Sequence, residues 1–454
     1  MSLPLEGIKV LDLSRLLPGG FCSLLLADFG ADVLKVEDTG MGDYIRWAPP
    51  YYEGAEESAK SALFLSLNRN KRSIRLDLKS EGGRQALLRL VREYDVVLES
   101  FRPGVLDRLG VGYERMREEN PRIVYCAISG YGQTGPRKSA SGHDMNYLGL
   151  VGLLGLTGDP PSPRGGEVAG GPSQSAGQIA DLGGGPIQSA GQIADLGGGA
   201  LMAAFGIMAA LRERDGGKSS PTHPGPTDSN PIGGAGSGSG EGQMVDVSMA
   251  DGALSWLAMV AAGYFADGTV PRRGDLPLAG SLICYRPYEC ADGWVTLGAL
   301  EPKFWQAWCG GVGRVDLIPK QFERPGSDAH REVQGIFKAR DRAEWETFAR
   351  EHDCCLEPVL ELDEALDSDL VRAREMVVEI EQPGAERPVR QLGIPVKLGR
   401  TPGEPARMPG PALGEHTVQV LRAAGYSEAE VDELLRTGAA AGPAEAATGA
   451  TFRV

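Results

Sequence analysis

The chain lacks a surplus of basic residues. Its 46 Lys and Arg residues are outnumbered by 61 Asp and Glu residues, which gives a formal net charge of -15. Nucleic-acid-binding domains usually gather a basic surplus on one face. We therefore expect no nucleic-acid partner, although a local basic cluster can still bind an anionic small ligand.

Cysteine is also scarce, and the seven cysteines form neither a CxxC pair nor a Cys/His ladder. An odd number of cysteines in a chain of 454 residues suits reduced thiols in a cytosol better than a disulfide framework. We expect a cytoplasmic protein without a structural metal.

The sequence shows neither a secretory signal nor a membrane span. The segment MSLPLEGIKVLDLSRLL has no basic n-region and no uninterrupted apolar h-region. No stretch reaches the roughly 18 apolar residues that a transmembrane helix needs. We expect a soluble chain of two or three domains with no membrane partner.

The first part of the chain alternates strand-like and helix-like segments. GIKVLDL at 7–13, a helix ending at Gly30 and the strand ADVLKVE make a βαβ unit. Further strands are predicted at 73–78, 95–101 and 122–130, separated by helical patterns. This alternation predicts a doubly wound parallel α/β sheet, as in Rossmann-like domains, within residues 1–213.

The composition changes after this region. Residues 214–242 are rich in Gly, Ser and Pro, which predicts a flexible linker that continues through a connecting helix to residue 276. Residues 277–345 mix strand-like and helical patterns and predict a small α+β domain, and residues 437–454 are expected to be disordered.

The segment GHDMNY places a histidine at the start of a helix. His143 and Asp144 follow Gly142 at the N-terminal end of an apolar helix. The helix dipole disfavours an imidazolium there, so His143 tends to stay neutral, as a general base requires. The structural alternative is equally open, since Asp144 could simply cap the helix while His143 packs.

A repeat carries two candidate acids. Twelve residues, QSAGQIADLGGG, recur after fourteen, so that Asp181 and Asp195 have the same neighbours. Only Asp195 is followed by a long helical pattern, because Pro186 interrupts the other copy. Asp195 is therefore either a helix cap or a catalytic acid.

Other charged residues have two interpretations as well. Glu301 precedes Pro302 at the predicted start of a helix, where an acid is usually structural. The basic run at 68–73, with Lys79 and Arg102, could bind phosphates at the carboxyl ends of strands or could be a solvated surface.

Eight segments, in order from about residue 3 to 425, resemble the family III CoA-transferases (CaiB/BaiF-like) and, within them, the α-methylacyl-CoA racemases. The segments are LEGIKVLDLSRLLPGGFCSLLLADFGADVLKVE, NKRSIRLDLKS, SFRPGVLDRLG, ENPRIVYCAISGYGQTGP, SGHDMNYLGLVG, ADLGGGALMAAFGI, GQMVDVSMADG and LGALEPKFW. The racemases carry GHDxNY, whereas the transferases typically lack its histidine.

The resemblance assigns roles to these residues. It implies that His143 and Asp195 are the two catalytic bases, with Glu301 and Asp144 as acids that orient or polarise His143. The residues that match the CoA and acyl site are Leu76, Asp77, Leu78, Lys79, Gly142, Met145, Asn146 and Tyr147, and Arg72 and Arg102 match arginines assigned to CoA phosphates. No cofactor is implied beyond the CoA of the substrate.

The resemblance also implies a reaction and an assembly. One base removes the α-proton of an acyl-CoA thioester and a conjugate acid returns it on the opposite face, while backbone N–H groups at a helix N-terminus stabilise the enolate. The alternatives are a CoA-transferase, with Asp195 as nucleophile, and a non-catalytic acyl-CoA-binding protein. The fold implied is an interlocked homodimer whose large domain includes residues 346–436, with Glu301 supplied by the partner chain.

Three features depart from the family pattern. Asp38 stands where racemases often have an arginine directed toward CoA. The family usually has one copy of the segment with the catalytic aspartate, so that Asp181 is expected to be an unused duplicate. The linker at 214–242 is longer than usual.

Overall fold

A computed structural model describes residues 2–158, 185–216 and 238–443, and these divide into two compact units. The first unit consists of the described residues within Met1–Val151, Gly191–Ser255 and Asp369–Val454. The second consists of those within Gly152–Ala190 and Trp256–Ser368. The chain therefore returns to the first unit at residue 369, later than the expected position of 346.

The described residues form strands in three sheets. Their bounds are Lys9–Asp12 (β1), Asp32–Glu37 (β2), Lys71–Leu76 (β3), Val96–Glu99 (β4), Val124–Ser129 (β5), Met244–Ser248 (β6), Tyr285–Glu289 (β7), Trp294–Gly298 (β8), Leu356–Pro358 (β9), Val377–Ile380 (β10), Val389–Leu392 (β11) and Ala440–Ala441 (β12).

Helices connect these strands. Their bounds are Leu16–Asp28 (α1), Ala62–Asn68 (α2), Glu81–Val91 (α3), Val105–Arg108 (α4), Tyr113–Glu119 (α5), Asp144–Leu150 (α6), Met202–Asp215 (α7), Met249–Ser255 (α8), Ala258–Asp267 (α9), Pro302–Gly311 (α10), Asp328–Lys338 (α11), Arg342–Glu351 (α12), Leu362–Leu366 (α13), Asp369–Ala373 (α14), Thr417–Ala423 (α15) and Glu428–Arg436 (α16). A π-helix, Ile193–Leu201, leads directly into α7.

The large sheet of the first unit has the strand order β12-β3-β2-β1-β4-β5-β6, and β1 to β6 run parallel to their neighbours. This confirms the predicted parallel α/β sheet. The order reverses between the neighbours β1 and β4. In such sheets ligands bind outside the carboxyl ends of the strands at the reversal.

The sheet has one strand that the sequence does not predict. β12 lies within the expected disordered segment 437–454, where it pairs antiparallel with β3 and places Ala440 opposite Leu76. Its neighbour Ala439 accepts a hydrogen bond from the Asp77 N–H at 2.9 Å. Two alanines have no strand pattern of their own, so this pairing depends on the edge of β3. The prediction of disorder is wrong for residues 437–443, and residues 444–454 lie outside the described part.

The second unit contains a three-stranded antiparallel sheet, β7-β8-β9. Buried aromatic side chains of β7, α10, α11 and α12 form its core, with Trp305 and Trp308 stacked at 5.1 Å and Phe337 against Trp345 at 4.7 Å. Because β9 pairs with β8 and α12 contributes to this core, the unit extends beyond the expected end at residue 345.

The π-helix and α7 form one continuous apolar segment, Ile193–Asp215, which by length and composition alone could cross a membrane. From the sequence we expect no apolar stretch of roughly 18 residues, whereas this segment has 23. Ala200, Ala203 and Ile207 are fully buried, and the segment packs against α1, α8 and β5. Its small apolar side chains are thus explained by contacts inside the first unit.

Candidate active site

The GHDMNY segment forms the start of α6. His143 precedes the helix in an extended conformation. Its backbone N–H donates to Asn146 Oδ1 at 3.0 Å, and its carbonyl accepts from the Asn146 N–H at 2.8 Å. Both bonds use backbone atoms of His143, while its side chain is exposed. Asn146, the third helical residue, thus bonds back to the N-cap backbone, and the exposed imidazole is accessible for proton transfer.

Asp144 is buried and faces the helix that carries Asp195. Asp144 Oδ1 accepts from the backbone N–H of Ala194 at 2.6 Å and of Asp195 at 3.0 Å. Amides in the first turn of a helix have no acceptor within the helix, and a carboxylate is favoured there. These two hydrogen bonds fix the first turn of the helix that carries the second candidate base. The implied contact between Asp144 and His143 is not among them.

Asp195 lies in the first turn of the π-helix, whose N-cap is Gln192. It is therefore not the cap residue that the sequence left as an alternative. Burial raises the pKa of Asp195 to about 6, and the negative charge of Asp144 adds to this while His143 opposes it. A carboxyl with a pKa near neutrality can both accept and donate a proton. Asp181, the duplicate, lies outside the described residues.

Two tyrosines pack beside these acids. Tyr147 donates its hydroxyl to the carbonyl of Gly142, and its ring meets Tyr131 edge-on with centroids 5.2 Å apart. A Cβ on Gly142 would lie 2.7 Å from the Tyr147 ring and 2.9 Å from the Tyr131 hydroxyl, so glycine is required there. Burial raises the pKa of Tyr147 to about 12, and the charge of Asp195 contributes. Tyr147 is therefore a neutral phenol near Asp195.

The glycines after Asp195 allow the π-helix to touch α8. A Cβ on Gly252 of α8 would lie 2.1 Å from the carbonyl oxygen of Gly198, and one on Gly198 would lie 2.6 Å from the carbonyl of Met249. No side chain fits between the two backbones. The GGG sequence therefore meets a packing requirement that sets the position of the first turn of this helix.

Part of the expected CoA-binding set lies at the carboxyl edge of the sheet. Leu76 ends β3 and is buried, and Leu78 packs against the core of the large sheet. Asp77 Oδ1 accepts from the Lys79 N–H at 3.0 Å. Lys79, and Arg102 after β4, are exposed at this edge. These placements agree with a ligand-binding role for the two cations.

Arg72 lies at the opposite edge, which contradicts its expected contact with a phosphate. It stands near the start of β3 and forms hydrogen bonds of 2.6–3.0 Å with Asp32 at the start of β2. Arg69 is paired with Asp28, and Lys71 with Asp12, in buried ion pairs. The basic run is thus a set of structural ion pairs whose acidic partners come from β1, α1 and β2.

Asp38 has a partner that the sequence did not indicate. Arg15, which follows β1, places Nη2 2.7 Å from Asp38 Oδ2, and both side chains are 40% exposed. Arg15 also donates its backbone N–H to Ser100 Oγ at 3.1 Å, and its guanidinium lies 5.9 Å from the Phe101 ring centroid. A cation is therefore present beside Asp38 at the reversal between β1 and β4.

Glu301 belongs to the second unit. It occupies the N-cap position of α10, followed by Pro302 as the first helical residue, and its side chain is exposed without capping the helix. His143, Asp144 and Asp195 all lie in the first unit. Met145 is also there, and its side chain is exposed.

Sequence reasoning missed Arg15, Tyr131 and the buried Glu99. Each follows or ends a strand at the carboxyl edge: β1, β5 and β4 respectively. That position is the signal that could have identified them. Among the described residues, no cluster of three or more His, Cys, Asp or Glu could hold a metal ion.

Two curated relatives match nearly the whole chain. Succinyl-CoA:mesaconate CoA-transferase of Haloarcula marismortui is 33% identical over 93% of this chain and 96% of its own length. Alpha-methylacyl-CoA racemase of Mus musculus is 32% identical over 95% of this chain and 96% of its own length.

The fold and the sequence profile agree with these relatives. The crystal structure of a CaiB/BaiF family protein from Brucella suis superimposes with a TM-score of 0.72 and 26% identity, over 93% of this chain and all of that one. Residues 5–220 and 235–417 match the profile of CoA-transferase family III. The chain is an enzyme of CoA-transferase family III.

Proposed function

We propose that the protein is an α-methylacyl-CoA racemase that interconverts the (2R) and (2S) forms of 2-methylacyl-CoA thioesters. The thioester carbonyl acidifies the hydrogen on the α-carbon. His143 removes this proton from one face, and Asp195 in its protonated form returns one to the other face; the roles reverse for the opposite epimer. The α-carbon loses and regains one proton, so no net redox change occurs.

The observation that carries this proposal is that an exposed imidazole, His143, and a partly buried carboxyl, Asp195, belong to the same unit, where burial raises the pKa of Asp195 to about 6. Near neutral pH a useful fraction of such a carboxyl is protonated and the remainder is ionised. This is the property that a residue needs when it is an acid in one direction and a base in the other. The exposed imidazole of His143 stands in the same unit.

A CoA-transferase is the second candidate, and the relatives favour it as strongly as they favour a racemase. The Haloarcula protein carries that name at similar identity. In this reaction the Asp195 carboxylate would attack the thioester, so ionised Asp195 would be required and His143 would be accessory. The GHDMNY histidine is the reason for preferring the racemase.

The His143→Ala variant separates the candidates. We expect it to lose epimerisation of a 2-methylacyl-CoA by at least roughly 100-fold. An unchanged rate of CoA transfer to an added carboxylic acid in His143→Ala would favour the transferase. Binding of acyl-CoA without turnover in the wild type would favour a non-catalytic binding protein.

We also propose that the protein is a homodimer in the cytoplasm. It needs no cofactor besides the CoA of the substrate. Leu201, Phe205 and Met208 are exposed at helical spacing on one stripe of the π-helix and α7. An apolar stripe of this kind is suited to burial against a second copy. In such a dimer, Glu301 of the second unit would complete the site of the partner chain.

A further inference from the structure

Glu99 is a buried carboxyl that the catalytic proposal does not use. It ends β4, the strand next to the reversal of the sheet, and is 4% exposed. Among the described residues no Lys, Arg or His forms an ion pair with it, and no cation contributes to its titration. Burying a carboxylate without a cation is costly, so this side chain is expected to remain uncharged or to have a specific structural task.

The hydrogen bonds of Glu99 hold the loop that follows β4. Glu99 Oε2 accepts from the backbone N–H of Phe101 at 2.6 Å, and Oε1 lies 3.4 Å from the hydroxyl of Tyr125 on β5. The first bond closes the chain back on itself immediately after the strand. It therefore fixes the direction in which residues 100–102 leave the sheet.

This loop positions two arginines at the carboxyl edge. Ser100 Oγ accepts the Arg15 N–H at 3.1 Å, and the Phe101 ring lies under the Arg15 guanidinium. Arg102 is exposed, and its positive charge lowers the pKa of Tyr147 in the candidate active site. The loop conformation that Glu99 fixes thus affects the positions of both Arg15 and Arg102 at the carboxyl edge of the sheet.

We propose that Glu99 is a positioning residue whose buried carboxyl, by accepting the Phe101 N–H, fixes residues 100–102 and thereby holds Arg15 and Arg102 in place for the phosphates of the CoA thioester. This inference rests on the proposed acyl-CoA substrate. It assigns the role to the hydrogen bond from the Phe101 N–H to Glu99 Oε2.

The surroundings of Glu99 explain why ionisation would disturb the loop. Glu99 and Arg102 both line a cavity of about 210 Å³. The titratable and charged side chains around it are Arg102, Asp107, Tyr113, Glu114 and Tyr125. Burial raises the pKa of Glu99 to about 8, with Asp107 raising it further and the bonds from Phe101 and Tyr125 lowering it. We expect ionised Glu99 to repel the neighbouring carboxylate of Asp107 and so to disturb the loop that carries Arg102.

Binding of desulfo-CoA, which has no thiol to titrate, tests the proposal by calorimetry at about pH 7 and about pH 9. A group with a pKa of about 8 is roughly 90% ionised at pH 9, so the Kd of the wild type should rise roughly tenfold. Glu99→Gln keeps an acceptor for the Phe101 N–H but does not titrate, and its Kd should change less than roughly twofold. Glu114→Gln removes a carboxylate from the same cavity and should retain the tenfold rise.

Each contrary result has a distinct meaning. A wild-type Kd that is equal at both pH values, or the same tenfold rise in Glu99→Gln, overturns the positioning role and leaves the proposed function standing. A wild type that does not bind desulfo-CoA at pH 7 overturns both. Glu99→Leu, checked for folding by its melting temperature, removes the acceptor and should weaken binding at pH 7 roughly tenfold; unchanged binding would also overturn the role.

Discussion

Asp195 combines two features at the scale of one residue: it is partly buried, and a second carboxyl, Asp144, lies next to its backbone. Both raise its pKa, to about 6. When Asp195 is the base, we predict that kcat/KM falls as the pH drops through this value. Asp144→Asn should shift this acidic limb to lower pH, because it removes the negative charge but retains an oxygen that can accept the Ala194 and Asp195 N–H bonds. An unshifted limb in the pH–rate profile would contradict this assignment.

The raised pKa also predicts a stability cost. The folded-state pKa of Asp195, about 6, lies above its ordinary value of 3.8, so above pH 6 the folded protein carries a charge that burial disfavours. Asp195→Asn removes this charge and should raise the free energy of unfolding at pH 8 by up to about 2 kcal/mol. Because it also removes the catalytic carboxyl, it should lower kcat/KM by roughly 10²–10⁴-fold. Since the carboxyl is protonated at pH 4 in the folded state, most of this gain should disappear there. Denaturant titrations at the two pH values measure the difference.

The candidate site could be predicted for residues whose role depends on local sequence. His143 at a helix start and Asp195 before a long helix are examples. The roles of Arg72 and Asp144 could not be predicted, because their partners, Asp32 and the amides at 194 and 195, are distant in sequence. The sequence of a basic run is the same whether its side chains bind phosphates or pair with carboxylates from another strand.

At the scale of elements, the position of the π-helix depends on backbone contact with α8. Gly252→Ala would place a Cβ 2.1 Å from the carbonyl oxygen of Gly198. We predict a loss of roughly 1–3 kcal/mol in the free energy of unfolding and a fall in kcat, since Asp195 would move with the helix. Gly335→Ala in α11 is the matched control, because its Cβ would meet nothing within 4 Å. Equal effects of the two substitutions on kcat would refute the role of this contact.

The parallel strands and their connecting helices were predictable because each is a buried run with the period of its structure. The sequence did not indicate that the helix of Asp195 begins at Ile193, or that a two-residue strand follows α16. The former depends on close packing of glycines, and the latter on the free edge of β3. Neither is visible in a local pattern.

At the scale of the whole molecule, the proposal divides the site between two chains. Co-expression of Asp195→Asn with Glu301→Gln should give mixed dimers in which one site has both substitutions and the other has neither. If random pairing makes half of the dimers mixed, about a quarter of wild-type activity should return. Each variant alone should be nearly inactive. Failure to recover activity from dimers shown by mass to be mixed would place Glu301 and Asp195 in sites of the same chain or remove Glu301 from the reaction.

Two-base exchange at the α-carbon replaces the α-proton by solvent deuterium, and proton NMR in D₂O follows this replacement. A 2-methylacyl-CoA of defined configuration is incubated with the wild-type protein without any acceptor acid. We expect loss of the α-proton signal together with epimerisation. An intact α-proton, with CoA moving to a second carboxylic acid once one is added, would contradict it and identify the protein as a transferase.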